Sequence, residues 1–332
     1  MIVRPSKLLQ TELQKSGSLN LKIQDVTLIR KNVGYTRLTH LPKLPKTFSE
    51  FHNALNDMTL QTNENETFLL HKDADTNTKK LTQCSKVTAD GTFYSGPNPF
   101  LQVFCIHGLA NNVFIPLMFF LLSNKLLTSY ERAFSFLLEK IKSLNLNFAP
   151  DSIRVDFEPA IHAAIKKMFP HIPVFGCRFH LGQSWWRKIQ SLGLSTEYRK
   201  FDSSISIFLR SLFGLPFLPP NAVSDSFVFD FVSIKPDDAR VTKFCDYLLD
   251  TYISESALFP PSIWAEYSPC VSRTTNNCES FHSKFNSYFY TSKPNIFQFT
   301  EAVKAVQTEI YIKMGSTLPK SKITLEREHF LK

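Results

Sequence analysis

Apolar positions along this chain switch between two periods, and the order of the switches carries most of the structural information. Lys86–Phe93 and Leu101–Ile106 read as strands, the second introduced by the turn-forming cluster Ser95-Gly-Pro-Asn-Pro99. Val113–Leu122 is a third, and short turns make the three an antiparallel meander. The period then lengthens. Tyr130, Phe134, Leu137, Leu138 and Ile141 line one face of a helix ending near Asn145, with Thr128 and Glu131 at capping-box spacing. Ser152–Asp156 is a fourth strand. Pro159 then opens a helix whose buried stripe is Ile161, Ile165, Met168 and Phe169, and Val174–Cys177 is a fifth strand.

The order β-β-β-α-β-α-β predicts an α/β fold in which crossover helices let strands four and five run parallel to the first. That is a ribonuclease H-like core, a mixed five-stranded sheet with flanking helices. Residues 81–195 would form it. Residues 196–270 read as a mainly helical insertion, with apolar patches at Ile205–Leu218, Phe227–Val232 and Phe244–Tyr252 punctuated by Pro216, Pro219, Pro220, Pro260 and Pro261. Residues 271–332 would complete the core with helices over about Asn277–Tyr290 and Phe299–Met314. Residues 1–80 form a basic leader and a short helical segment, where Phe48, Phe51, Leu55 and Met58 keep helical spacing.

Composition narrows the class. With 43% hydrophobic, 13% aromatic and 20% charged residues among 332, the chain is not of the disordered type. Its longest apolar run, Val113–Leu122, is half the roughly 20 residues a membrane helix needs, so no membrane partner is expected. No apolar segment of signal-peptide type follows Met1, and the six cysteines are dispersed without a C-x-x-C pair, so an intracellular setting and free thiols are expected. The 38 Lys+Arg against 29 Asp+Glu leave a net charge of +9, which favours a polyanion and makes nucleic acid the leading partner. Residues 1–46 hold nine of the basic residues and two acids, either an arm touching phosphate or a solvated leader. Neither a dinucleotide-binding glycine motif nor a P-loop is present.

The candidate chemistry is carboxylate chemistry. Asp90 lies in the first strand and Asp156 ends the fourth, and these strands would be neighbours. Taken alone, Asp90 reads more readily as the start of an Asp-Gly turn and Asp156 as a helix cap, and only the pairing across strands lifts them. Paired across strands, they repel unless a divalent cation neutralises them, and two hard ions held so can activate a water or a 3′-hydroxyl on a phosphodiester. A third acid is sought in the C-terminal helices. Glu279 is the choice, although its spacing from Asn276 also suits a capping box, and Glu255, Glu266 and Asp246 are rivals. Glu158 is an auxiliary acid if the fourth strand continues.

Cys177-Arg-Phe-His180 is half of a metal-ligand pattern, and Cys278 with His282 is a second half with Cys2His2 zinc spacing. Spacing alone does not bring the halves together, so structural zinc is not expected; phosphate contact, ordering of the acids and plain packing compete for His180. Trp185, Trp186, Arg187 and Lys188 put aromatic and basic groups together, suited to stacking on a base or to the core.

Asp90-Gly-Thr-Phe93, Gln102-Val-Phe-Cys-Ile-His-Gly108, Pro116-Leu-Met-Phe-Phe-Leu-Leu-Ser-Asn-Lys125 with Tyr130-Glu131, Asp156-Phe-Glu-Pro-Ala160 and Cys177-Arg-Phe-His-Leu-Gly-Gln183 together resemble, in order and spacing, the Mutator-like element (MULE) transposase domain. The resemblance spans about residues 85–200, with Thr274–Glu279 a weaker extension. It implies a DDE-type DNA transposase acting by two-metal-ion cleavage and strand transfer at terminal inverted repeats. Asp90, Asp156 and Glu279 would then be the catalytic metal-binding acids, with two Mg²⁺ or Mn²⁺ ions. Glu158, Cys177, His180, Trp186, Arg187 and Lys188 would have auxiliary or DNA-handling roles. A nuclear location and a homo-oligomer on double-stranded transposon ends and target DNA would follow. The zinc-finger module common in that family has no counterpart in residues 1–84, where Cys84 is the single cysteine. The alternative function is a transposon-derived, catalytically inactive DNA-binding or regulatory protein.

Overall fold

The computed structural model describes residues 22–39, 75–110, 113–267 and 276–315, with isolated positions at 11–12, 15, 44–47, 49–50, 53–54 and 326. Five strands, β1 (Lys86–Thr92), β2 (Gln102–Ala110), β3 (Val113–Leu122), β4 (Ser152–Val155) and β5 (Val174–Gly176), form one sheet in the order β3-β2-β1-β4-β5. The β1-β2-β3 meander is antiparallel, whereas β4 runs parallel to β1 and β5 parallel to β4. Pro116 is tolerated because β3 is an edge strand, and it sits beside the register shift at Ile106/His107.

Helices are α1 (Ile23–Thr39), α2 (Asp75–Thr82), α3 (Leu127–Ser143), α4 (Pro159–Met168), α5 (Arg178–Ser191), α6 (Ser195–Arg199), α7 (Ser204–Leu212), α8 (Ala239–Leu248), α9 (Pro261–Trp264), α10 (Asn276–Ser287) and α11 (Ile296–Gly315). Alternation along the strands divides the sheet into two faces. On one, Phe104 of β2 meets Tyr130 and Phe134 of α3 edge-on. On the other, His107 and Phe119 meet Phe281 of α10, and α11 locks on through Phe285 against Phe299. A buried amide pair, Asn77 with Gln307, ties α2 to α11 at 3.2 and 3.3 Å.

A second hydrophobic core lies outside the sheet. Leu181, Trp185 and Ile189 of α5 pack there with Phe208 and Leu212 of α7, Phe244 and Leu248 of α8, and Trp264. The segment returns to the sheet through Glu266, which pairs with Arg154 of β4 at 3.0 Å. Phe157 reaches across the junction, its ring lying 5.8 Å from that of Tyr252 and 5.2 Å from that of Phe259. Gly176 makes room for it, since a Cβ there would stand 2.3 Å from the Phe157 ring. Gly176→Ala is therefore expected to destabilise the protein by about 1–3 kcal/mol, read as a lower urea midpoint at unchanged slope.

Several expectations need correction. The Thr128–Glu131 capping box does not form. Leu126 is the N-cap, no side chain caps the helix, and Glu131 instead pairs with Lys167 at 2.8 Å. The leader is helical over Ile23–Thr39, which its charge pattern did not announce. Phe48, Phe51, Leu55 and Met58 lie outside the described residues.

Candidate active site

Asp90 lies in the middle of β1, opposite Cys105 of β2, so the Asp-Gly pair is strand and not turn. Its neighbour needs to be small, because a Cβ on Gly91 would meet Gln102 Oε1 at 2.4 Å. The Gly91 N–H donates to Asp90 Oδ1 at 2.8 Å, and His282 Nδ1 stands 3.5 Å from Oδ2. Asp156 follows β4 directly. The parallel register pairs Lys86 with Ser152, Val87 with Ile153 and Thr88 with Arg154, and beyond it Asp90 and Asp156 line one cleft, where the Asp156 charge acts on Asp90. Asp156 does not cap α4, whose N-cap is Glu158. Its backbone carbonyl is held instead by His162 Nε2 at 2.7 Å.

The helix α10 lies along β1 with matched steps. Thr88, Asp90 and Thr92 share one face of the strand, and Cys278, His282 and Asn286 share one face of the helix. Cys278 Sγ is 3.0 Å from Thr88 Oγ1 and 3.4 Å from His107 Nδ1, and Thr92 Oγ1 donates to Asn286 Oδ1 at 3.4 Å. Four helical residues advance about 6 Å, close to the roughly 6.7 Å of two strand residues, so three polar contacts form in register. Cys278 and His282 serve β1, and the residue that joins Cys177 and His180 is Glu279. One ligand atom from each of Cys177, His180 and Glu279 lies within 4.8 Å of the other two. Sequence reasoning missed the contacts of His282 and His107; the polar i, i+4, i+8 spacing of Cys278, His282 and Asn286 was the available signal.

Electrostatics mark the same place. Burial pushes the Asp90 carboxyl up to about 6, helped by the Asp156 and Glu279 charges and opposed by His180 and the Gly91 N–H. Asp156 is also raised, by burial and by Glu158, against His180 and Lys125. Glu279 is raised by burial, with His180 opposing. For His180, burial works against the charge, but the Cys177 hydrogen bond and the Asp90 and Asp156 carboxylates prevail and raise it to about 9. Burial and the His180 charge lower His282 to about 4, so it is neutral beside Asp90 at neutral pH.

A small cleft open to solvent lies beside the acids, lined by Asp90, Asp156, Glu158, Lys125, Tyr130 and Phe93 among others. Glu158 is held at its wall by Lys125 at 2.6 Å and the Tyr130 hydroxyl at 2.9 Å. Of the aromatic and basic run, Trp185 is fully buried, Trp186 packs on Tyr198, Arg187 is exposed and Lys188 lies 4.9 Å from the Tyr247 ring centre. All-oxygen, mutually repelling carboxylates at a solvent-open cleft suit hard divalent ions. Glu279 Oε1, buried without a hydrogen-bond partner among the described residues, fits the same demand.

Residues 86–184 match the family model described as the MULE transposase domain. The matched stretch runs from β1 into α5 and so contains Asp90, Asp156, Glu158, Cys177 and His180, but neither the run beginning at Trp185 nor Glu279. No curated protein sequence matches the chain. Among solved structures, the Drosophila P element transposase strand transfer complex is similar at 10% identity and a TM-score of 0.26, over 94% of this chain and 88% of that one. No described helix is long and apolar enough to cross a membrane.

Proposed function

We propose that this chain, whose residues 86–184 are similar to the MULE transposase domain, is a DDE-type DNA transposase built on a ribonuclease H-like core. The observation that supports the reading is that Asp90, in β1, and Asp156, just after the parallel neighbouring β4, line one cleft inside the matched stretch. Asp90 and Asp156 would hold two Mg²⁺ or Mn²⁺ ions, with Glu279 as the third acid. When bound, these ions supply neutralisation of phosphodiester charge and an activated water or 3′-hydroxyl.

The chain's own residues do the rest. Asp90 cannot swing, because Gly91 engages one oxygen and His282 stands beside the other. Lys125 and the Tyr130 hydroxyl hold the Glu158 carboxylate at the cleft wall and restrict its rotation. His180 carries a positive charge among the acids at neutral pH, which limits their repulsion in the metal-free chain. The net charge of +9 favours double-stranded DNA as partner, and assembly on two transposon ends in the nucleus belongs to the same proposal.

The test is Mn²⁺-dependent nicking and strand transfer by the purified chain on DNA carrying the terminal repeats that flank its own gene, with Asp156→Asn as control. Both activities are expected in the unaltered chain and neither in the variant. Salt-sensitive DNA binding with no cleavage by either protein would replace this reading with a catalytically inactive DNA-binding protein.

A further inference from the structure

Three donors of different chemistry meet where α5 begins. Cys177 occupies the N-cap position, but its side chain caps none of the helix amides. His180, three residues on, shares its face of the helix. Glu279 arrives from α10, and one ligand atom from each of the three lies within 4.8 Å of the others. Cys177 is fully buried. His180 Nδ1 and Glu279 Oε1 are both buried with no hydrogen-bond partner among the described residues. An unsatisfied buried polar atom is costly, so two of them flanking a buried thiol point to a ligand there.

We propose that Cys177, His180 and Glu279 form a site for one borderline-soft divalent cation of the zinc class, beside the hard-ion pair read at Asp90 and Asp156 and sharing Glu279 with it. Sulfur, nitrogen and oxygen donors together disfavour Mg²⁺ and suit Zn²⁺, which binds Cys, His and carboxylate at about 2.0–2.3 Å. Such bonds in a tetrahedron hold the donors roughly 3.5 Å apart, so a modest contraction closes the cluster. Three protein ligands leave the fourth position open to water or an incoming oxygen. Binding deprotonates the thiol and the ring nitrogen that coordinate, and the protons pass to solvent. The site goes beyond the transposase reading. It joins α10, which packs along β1, to α5, which runs into the second core, so an ion there would pin the two parts together beside the acid pair.

The test uses the full, metal-free chain and the metal alone. Titration with Co²⁺ should produce tetrahedral absorption with a thiolate-to-cobalt charge-transfer band, which one equivalent of Zn²⁺ removes. Cys177→Ser should lose the charge-transfer band. His180→Gln and Glu279→Gln should each weaken Zn²⁺ binding about tenfold or more. Asp90→Asn and Asp156→Asn should leave the thiolate–cobalt band in place while removing Mn²⁺-dependent strand transfer, so failure of one reading does not imitate failure of the other. No thiolate–cobalt band in the unaltered chain overturns the proposal, whether or not Cys177→Ser folds. So does a band that survives Cys177→Ser, or an unchanged Zn²⁺ affinity in both the His180 and Glu279 variants.

Discussion

Asp90→Asn is expected to lower metal-dependent strand transfer by about 10³-fold, the several kcal/mol that a metal ligand contributes to the transition state. The same substitution is expected to make the metal-free protein more stable at pH 7, by about 2 kcal/mol. Asp90 is 7% exposed, and its carboxyl is raised from 3.8 to about 6 by burial and then by the Asp156 and Glu279 charges. The folded state thus holds that proton more tightly than the unfolded chain does. Above pH 6 the ionised carboxylate is a full cost of folding, and below about pH 4 both states are protonated and the cost is gone. Asparagine mimics the protonated acid at every pH. Its advantage should therefore be complete at pH 7 and above and fade as pH falls from 6 to 4, in urea titrations without metal. Added Mn²⁺ should reverse the ranking, since it binds only the acid pair of the native chain. A variant less stable than the parent at pH 7 would mean that Asp90 serves the fold.

Trp185→Ala is expected to cost about 3–5 kcal/mol, the range for deleting a fully buried large aromatic side chain. Its ring is enclosed by Phe213, Trp264 and Tyr252, with centroids at 5.4, 5.9 and 6.0 Å. Trp185→Phe should recover most of the loss, because the indole Nε1 has no hydrogen-bond partner among the described residues to forfeit. A tryptophan that stacks on a base behaves differently: its alanine variant loses DNA affinity at unchanged stability, and that result would move Trp185 out of the core. The effect should reach the acids too. The helix that buries Trp185 begins beside Cys177 and carries His180, so loosening the second core frees the residue that offsets the acidic charge.

The order of elements was legible because each depends on a local period. Phe134, Leu137 and Ile141 share a helix face wherever the helix is placed, and Val103 and Cys105 alternate with their neighbours whatever they pair with. The adjacency of β1 and β4 was legible from the order of elements, because a crossover helix imposes a parallel register, and that adjacency brings Asp90 and Asp156 to one cleft. Local chemistry misled where long-range pairing overrode it. Asp90-Gly91 has turn composition, yet six consecutive β1–β2 partners hold it extended. Thr128 and Glu131 have capping spacing, yet Glu131 is drawn to Lys167. The partners of Cys278, His282 and Glu279 were decided by tertiary structure alone. They lie about 190 residues from Thr88 and Asp90, as the Thr88–Cys278 contact shows, and spacing within a helix states which side chains share a face but not what that face meets. Only the docking of α10 on β1, where a four-residue helical step matches a two-residue strand step, sends His282 to Asp90 and leaves Glu279 to Cys177 and His180.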